Sequence, residues 1–328
     1  MNMVVMNEGG IFMKKIISLM IAAALLLGAC VCAAAEGDAY QIGILQFVQH
    51  PALDQATQGF KDALTEKLGD KVVFDEGNAS GDSNNCAQIA GQLVSKQVDL
   101  IMANATPAML ACATATADIP ILATSITNYE SAMEIELTAE GATGLNVSGT
   151  SDLAPLDGQA AMVKELFPDA KTVGLIYCNA EPNSIFQIKT IEGYLTEQGY
   201  ECKRYGFNDS NDLASVVQSA TECDVLYIPT DNTAAGNTEA IANIVLPAKV
   251  PVVAGEEGIC SGCGVATLTI SYYDIGYKTG EMAWDILVNG ADITAMPIAY
   301  APQFTKKYNA ANAAELGITI PEDYQPIE

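Results

Sequence analysis

Arginine is all but missing from this chain: Arg204 is the only one in 328 residues, and it falls inside an expected strand. An anionic ligand must therefore be held without the usual bidentate guanidinium fork. Histidine is as scarce, with His50 alone. A serine–histidine–acid triad would have only that one base, and no G-x-S-x-G elbow accompanies it. One histidine and one close pair of cysteines give no familiar zinc spacing, so no metal site is expected. Neither a Walker loop nor a complete dinucleotide glycine fingerprint is present, and no cofactor is expected. These absences disfavour an enzyme, and no catalytic residue is assigned.

Positive charge in general is short: 15 basic against 40 acidic residues, a net of -25. Such a surface repels phosphate backbones, which removes nucleic acid from the expected partners. Beyond the leader described next, seven cysteines remain: Cys86, Cys112, Cys178, Cys202, Cys223, Cys260 and Cys263. An odd number cannot all pair within one chain, and most lie in apolar segments as small core residues. Cys260-Ser-Gly-Cys263 has redox spacing but reads as a glycine-rich loop rather than a helix start. Loop thiols or a local disulfide are expected there.

One apolar run stands apart. Met13-Lys14-Lys15 is followed by Ile16 to Leu27, and then by Leu27-Gly28-Ala29-Cys30. A basic start, a short apolar core and small residues make a secretory signal. At about a dozen residues the core is too short for a mature span, which needs roughly 20. The small residues before Cys30 resemble a bacterial lipobox, so lipidation of Cys30 is expected. Cleavage after Ala33-Ala34-Ala35, leaving a soluble secreted protein, is the alternative. Glu8-Gly9-Gly10 is what a translated ribosome-binding site would spell, which makes Met13 the expected start.

The rest is half apolar and long enough for two domains. Strand-length apolar runs occur at Ile42–Phe47, Val72–Phe74, Leu100–Ala105 and Ile119–Ala123. They recur at Val173–Tyr177, Cys202–Phe207, Val225–Ile228 and Val250–Ala254. Amphipathic segments lie between them, at 54–68, 85–96, 107–117, 183–198, 211–220 and 236–247. Strand and helix in alternation mean parallel sheets covered on both faces. The fold expected is α/β: two Rossmann-like lobes joined by a three-segment hinge. Residues 1–35 are the leader and linker. Lobe one takes 38–146 and 271–297, with a helix over 272–289, and lobe two takes 147–270 and 298–328.

Open parallel sheets bind ligands beyond the carboxyl ends of their strands. In lobe one those ends carry His50, Thr106-Pro107-Ala108 and Ser125 to Tyr129. Thr106-Pro107 reads as a helix opening, with threonine as cap and free N–H groups suited to an anion. In lobe two the ends carry Glu181, Asn183, Ser184, Asp231, Asn232 and Glu256, of which Glu181, Asp231, Asn232 and Glu256 suit a cation. Anion donors facing carboxylates complement a zwitterion. The carboxylate is expected on Thr106, the N–H of Ala108, and Ser125 or Thr127. The ammonium is expected on Asp231 with Asn232, and Glu256 in reserve. His50 reads as cleft-lining rather than as a base. Phe47, Tyr129, Tyr177, Phe186, Tyr272 and Tyr273 lie near strand ends, where two or three of them could stack on a ring.

These segments resemble the solute-binding proteins of bacterial ABC importers, in the branch associated with tryptophan and tyrosine uptake. The resemblance runs from Gln41 almost to the C-terminus. His50-Pro-Ala-Leu-Asp54, Ala105-Thr-Pro-Ala108, Gly144 to Asp152, Asn179 to Ser184, Pro229-Thr-Asp-Asn232 and Gly255-Glu-Glu-Gly258 carry it. Ala266 to Gly276 and Leu316 to Pro321 extend it. It implies a periplasmic-binding-protein type I fold and a receptor, not an enzyme, for a small amino acid or a related molecule. The Cys260–Cys263 pair departs from that pattern. The whole reads as a monomeric, lipid-anchored, extracytoplasmic receptor that hands an aromatic amino acid to permease and ATPase subunits. A sugar or nucleoside receptor, or a sensing domain of the same fold, is the alternative, and an exported enzyme is less favoured. Trp284, expected buried mid-helix, is the only tryptophan, which makes the sugar reading thinner.

Overall fold

The computed structural model describes residues 39–327; the leader, Cys30 and the alternative cleavage site at 33–35 lie outside the described residues. Lobe one opens with β1 (Tyr40–Gln46), α1 (Pro51–Leu68), β2 (Val72–Asn78), α2 (Ser83–Ser95) and β3 (Leu100–Asn104). It continues through α3 (Thr106–Ala115), β4 (Ile121–Ile126), α4 (Tyr129–Met133) and β5 (Val147–Ser151). Lobe two follows with α5 (Leu156–Leu166), β6 (Thr172–Cys178), α6 (Pro182–Glu197), β7 (Glu201–Phe207) and α7 (Ser210–Ala220). Then come β8 (Val225–Ile228), α8 (Asn232–Ala235), α9 (Thr238–Ala248), β9 (Val252–Ala254), α10 (Glu257–Cys263) and β10 (Ala266–Thr269). The chain returns to lobe one through α11 (Tyr272–Asn289) and β11 (Ala299–Tyr300), and ends in lobe two with β12 (Thr305–Tyr308), α12 (Ala310–Leu316) and β13 (Gln325–Pro326).

The first sheet has the order β11-β5-β4-β3-β1-β2 and is parallel throughout. The second has the order β13-β12-β10-β9-β8-β6-β7, with one antiparallel pair, β10 with β12. The fold is the two-lobed α/β architecture with three crossings: β5 to α5, β10 to α11, and β11 to β12. Two crossings sit slightly later than the sequence suggested. Val147–Ser151 and Ala299–Tyr300, expected in lobe two, are strands of the first sheet. Apolar periodicity identifies an extended segment but does not say which sheet edge it joins.

Both lobes bury ordinary cores. Fully buried Ile42, Ile44, Phe60 and Leu64 join β1 to α1 in lobe one. Val173, Leu175, Ile188 and Tyr227 do the same around β6 and β8 in lobe two. Each large apolar side chain so buried contributes about 1.5–3 kcal/mol. Helix α11 packs on α1 with backbones nearly touching. A Cβ on Gly276 would lie 2.0 Å from the Ala56 carbonyl oxygen, and one on Gly59 would lie 2.2 Å from that of Tyr273. Trp284 is only half-buried on α11, with the Lys67 ammonium 4.9 Å from its ring centre. Among the described residues, no helix is long and apolar enough to cross a membrane.

The segment holding Cys260 and Cys263 is helix, not loop. Glu256 caps it by accepting from the N–H groups of Gly258 (2.5 Å) and Ile259, and its small residues answer to packing. A Cβ on Gly262 would meet Thr238 Oγ1 at 2.2 Å. Both cysteines are buried free thiols.

Candidate functional site

Each sheet reverses its strand order once beside its first strand, β1 against β3 and β6 against β8. A crevice opens at such a switch point, beyond the carboxyl ends of the strands. The two switch points face each other. His50 Nε2 meets Asn232 Oδ1 at 3.3 Å, and the Gln187 amide donates to Thr127 Oγ1 at 3.2 Å. Between them lies a narrow interlobe cavity with about 10 Å³ for the centre of a water molecule.

Lobe one supplies His50, Ser125, Thr127 and Asp152 to this cavity, and Tyr272 enters from the start of α11. Ser125 is placed by a bulge. The pairing of β4 with β5 slips between Ala123 and Ile126, and Ser125 takes φ 59°. Gly149 makes this possible: its φ is 140°, and a Cβ there would lie 1.8 Å from the Ala123 carbonyl oxygen. A bulge of this kind re-aims a side chain at a strand end, and the Ser125 hydroxyl is buried without a partner. Asp152 follows β5 directly. It accepts from the Tyr272 hydroxyl at 2.8 Å and from Thr127 Oγ1 at 3.4 Å.

Lobe two supplies Asn183, Thr230, Asp231, Asn232 and Glu256. Glu181, expected to suit a cation, is spent within the lobe. Its carboxylate accepts from the backbone N–H and amide of Asn232 (3.0 and 2.6 Å), from the N–H and hydroxyl of Thr233 (2.9 and 2.8 Å), and from Asn183 Nδ2 (3.1 Å). Those bonds orient both amides. With Asn232 Nδ2 on Glu181, its Oδ1 faces His50, so His50 Nε2 carries the proton and Nδ1 is left as an acceptor. Asn183 Nδ2 also donates to the Thr230 carbonyl at 3.0 Å, which leaves Asn183 Oδ1 as a second acceptor. Neither acceptor has a partner.

Asp231 has a partner on each oxygen. Oδ2 accepts from the Cys178 N–H at 2.6 Å, and Oδ1 accepts from the Ala234 N–H at 2.9 Å as the cap of α8. Burial pushes its carboxyl upward, with the neighbouring Glu181 carboxylate adding to the shift. Burial also raises Asp152 to about 6 against the hydrogen bonds from Tyr272 and Thr127. Glu256 rises to about 7 for the same reason, against its backbone donors. His50 is held below its usual value by burial and is neutral. The cavity thus gathers three buried carboxyl groups and no cationic side chain. Groups so far displaced by burial are stabilised by an incoming positive charge.

Not every expected residue lines this cavity. Thr106 and Ala108 are buried at the start of α3 but are not in its wall. Thr106 is the first helical residue, not the cap; Ala105 holds that position with φ 83°, and the Thr106 hydroxyl has no partner. Ser184 is buried behind the wall, accepting from Asn183 Nδ2 at 3.3 Å. Tyr129 is structural: its hydroxyl donates to the carbonyls of Ala123 and Thr150 at 3.0 and 3.1 Å. Phe47 is core, and Tyr273 faces outward with its hydroxyl on Asp62. Asp152, Thr230 and Gln187 were missed as site residues, although Asp152 and Thr230 both stand at strand ends. Tyr272, expected only as a ring wall, also acts through its hydroxyl on Asp152.

Fold and site define a two-lobed binding protein with an acceptor-rich interlobe cavity. The family model for ABC transporter substrate binding protein matches residues 41–325, and the chain belongs to that family. Members of the family are extracytoplasmic. A curated relative, the tyrosine-binding protein of Clostridioides difficile, is 37% identical over 262 residues, 78% of this chain and 75% of its own length. A Streptococcus pneumonia ABC domain solved in complex with L-Trp is 32% identical, with a TM-score of 0.84, covering 88% of this chain and 100% of that one. A ligand-free, open substrate binding protein from Clostridium difficile is 35% identical, with a TM-score of 0.67 over 88% of this chain and 99% of its own. At similar identity and coverage, the whole-chain fit to the ligand-bound relative is better than that to the open one.

Proposed function

We propose that this chain is the receptor of an ABC importer for an aromatic amino acid, tethered to the outer face of the membrane by a lipid on Cys30. The observation that carries the ligand class is the cavity itself, where buried carboxyl groups and unpartnered acceptors converge without a cation. An ammonium group supplies the missing charge and three donors. Asp152 and Glu256 are its assigned counter-charges, with His50 Nδ1 and Asn183 Oδ1 as further acceptors. Asp231 takes a supporting role: the Glu181 carboxylate beside it adds to burial in favouring its neutral form, and its oxygens, like those of Glu256, already accept backbone N–H groups. The ligand carboxylate is assigned to the hydroxyl of Ser125 in the cavity wall, with the Thr106 hydroxyl, outside that wall, in reserve. The two belong to neighbouring strand ends held together by the Ala105 N–H on the Thr124 carbonyl (3.1 Å), and both lack partners. The tyrosine and tryptophan of the two relatives support an aromatic side chain. Delivery to permease and ATPase subunits by a monomeric receptor, without catalysis, completes the reading.

A thermal-shift screen tests it. Tyrosine, tryptophan or phenylalanine raises the melting temperature, and ribose, glucose and adenosine do not. A ligand at 100 times its dissociation constant adds about 2.7 kcal/mol to native stability. Stabilisation by a sugar or nucleoside alone removes the amino-acid reading. The tether is tested separately. Protein expressed from Met13 partitions into the detergent phase and the Cys30→Ala variant does not; equal partitioning of the two removes the anchor.

A further inference from the structure

The charged cavity is not the only space between the lobes. A groove of about 370 Å³ adjoins it and shares Ala235, Glu256 and Tyr272 with its wall. Lobe one borders the groove with Pro51, Ala52 and Gln55, and lobe two borders it with Thr238, Gly258, Ser261 and Gly262. We propose that this groove is the side-chain subsite, and that it admits amino acids whose aromatic ring carries a further bulky substituent. The proposal rests on the amino-acid reading above and adds where the side chain goes and how large it can be.

The difference in room between the two spaces supports it. Carboxyl groups and orphan acceptors crowd the cavity, which has room for little more than one water. The groove mixes the apolar surfaces of Pro51, Ala52, Ile270 and the Tyr272 ring with polar Gln55, Thr238 and Ser261. Glu257 also lines it, with its carboxylate paired to Lys307 at 2.7 Å. The groove's volume is in the range that holds small molecules. An amphipathic ligand with its ammonium on Asp152 and Glu256 reaches the groove past Ala235 and Tyr272. The bare part of the far wall is fixed by packing. Gly262 cannot gain a side chain without meeting Thr238, and a Cβ on Gly258 would sit 3.1 Å from the Glu256 carboxylate. At the rim, Gln55 and Ser261 are exposed, so a ring substituent can continue toward solvent.

Isothermal titration with tyrosine and O-benzyltyrosine, on wild type and on Gln55→Trp and Ser261→Phe, tests the assignment. Both substitutions fill the groove from exposed positions, and unchanged melting temperatures confirm folding. Wild type is expected to bind O-benzyltyrosine within about tenfold of tyrosine, and the filled variants to lose the extended ligand by about tenfold or more, the scale on which a pocket discriminates added bulk. Tyrosine binding without any tolerance of the benzyl group overturns the groove assignment alone. So does unchanged affinity for O-benzyltyrosine in both variants. If wild type binds no free amino acid, the amino-acid reading falls and the groove assignment falls with it.

Discussion

Gln187 on α6 and Thr127 beyond β4 belong to different lobes, and the Gln187 amide donates to the Thr127 hydroxyl at 3.2 Å. The same amide donates to Thr230 Oγ1 at 2.6 Å, while its oxygen accepts the Thr230 N–H at 3.2 Å. One side chain therefore ties the loop beyond β8 to the opposite lobe. A net hydrogen bond contributes about 0.5–1.5 kcal/mol, which is roughly two- to tenfold in the ratio of closed to open molecules. Gln187→Ala is expected to raise the radius of gyration of ligand-free protein in X-ray scattering, with saturating ligand restoring the wild-type value. An unchanged profile without ligand would show that this bond does not hold the lobes together.

Asp152 is expected to matter most for the ammonium. Charge-assisted hydrogen bonds contribute about 1.5–3 kcal/mol, so Asp152→Asn weakens binding by roughly 10- to 100-fold. Tyr272→Phe, which removes only the 2.8 Å bond to Asp152, costs less. Titration calorimetry on these two and Asp231→Asn ranks the carboxyl groups. A larger loss at Asp231 than at Asp152 reverses the assignment.

The pH dependence has a definite sign. Asp152 and Glu256 are raised to about 6 and about 7, and Asp231 is also raised, all mainly by burial. Between the unfolded carboxyl value near 4 and these folded values, the native state binds more protons than the unfolded state, so stability falls as pH rises. His50, whose value is lowered, works the other way just below its ordinary 6.5, one group against three. Ligand-free protein is expected to melt higher at pH 5.5 than at pH 8, with the ligand-induced shift in melting temperature larger at pH 8. Melting curves with and without tyrosine at both values check this. Glu256→Gln flattens part of the ligand-free slope.

Gly149→Ala is expected to damage both fold and site. The new Cβ meets the Ala123 carbonyl at a φ that side chains avoid, and the bulge that sets Ser125 cannot form unchanged. Overpacking of this kind costs about 1–3 kcal/mol. A lower melting point together with weakened amino-acid binding is the expected pair of results. Loss of stability with wild-type affinity would separate Ser125 from the bulge.

Thiol chemistry gives a further check. Cys86, Cys112, Cys178, Cys260 and Cys263 are all pushed up, mainly by burial, and thiols rather than thiolates are poor nucleophiles. In the native protein these five should resist an aromatic disulfide reagent until denaturant is added. Half-buried Cys202 is the expected first to react among the described residues. Rapid modification of Cys260 or Cys263 would reopen a redox role for that helix.

The parts of this molecule that repeat were readable from the chain. Alternating apolar runs give β1 through β4 and β6 through β9, and the strand-end rule leads to His50, Ser125, Thr127, Asn183, Asp231, Asn232 and Glu256 at one cavity. What stayed hidden depends on contacts between distant segments. Nothing local to Gly149 announces that Ala123 lies against it, so the bulge and the strand's membership in the first sheet could not be read. Glycines at 258, 262 and 264 suggested a loop, whereas the carboxylate of Glu256 and close packing make a helix there. Glu181 and Asp231 looked like free acids because their backbone donors come from residues up to 53 positions away.

The glycine seam between α1 and α11 has a mechanical consequence. With Gly59, Gly276 and Gly280 set against the partner helix's backbone, the two helices cannot slide or roll on one another. Because α11 begins just after the second crossing, lobe one and that bank of the hinge form a single block. Opening is then a swing of lobe two alone, about the short links that follow β5 and β10 and the turn between β11 and β12. Lobe one serves as the stator of this device and lobe two as its pointer, so occupancy is legible only to something that touches both.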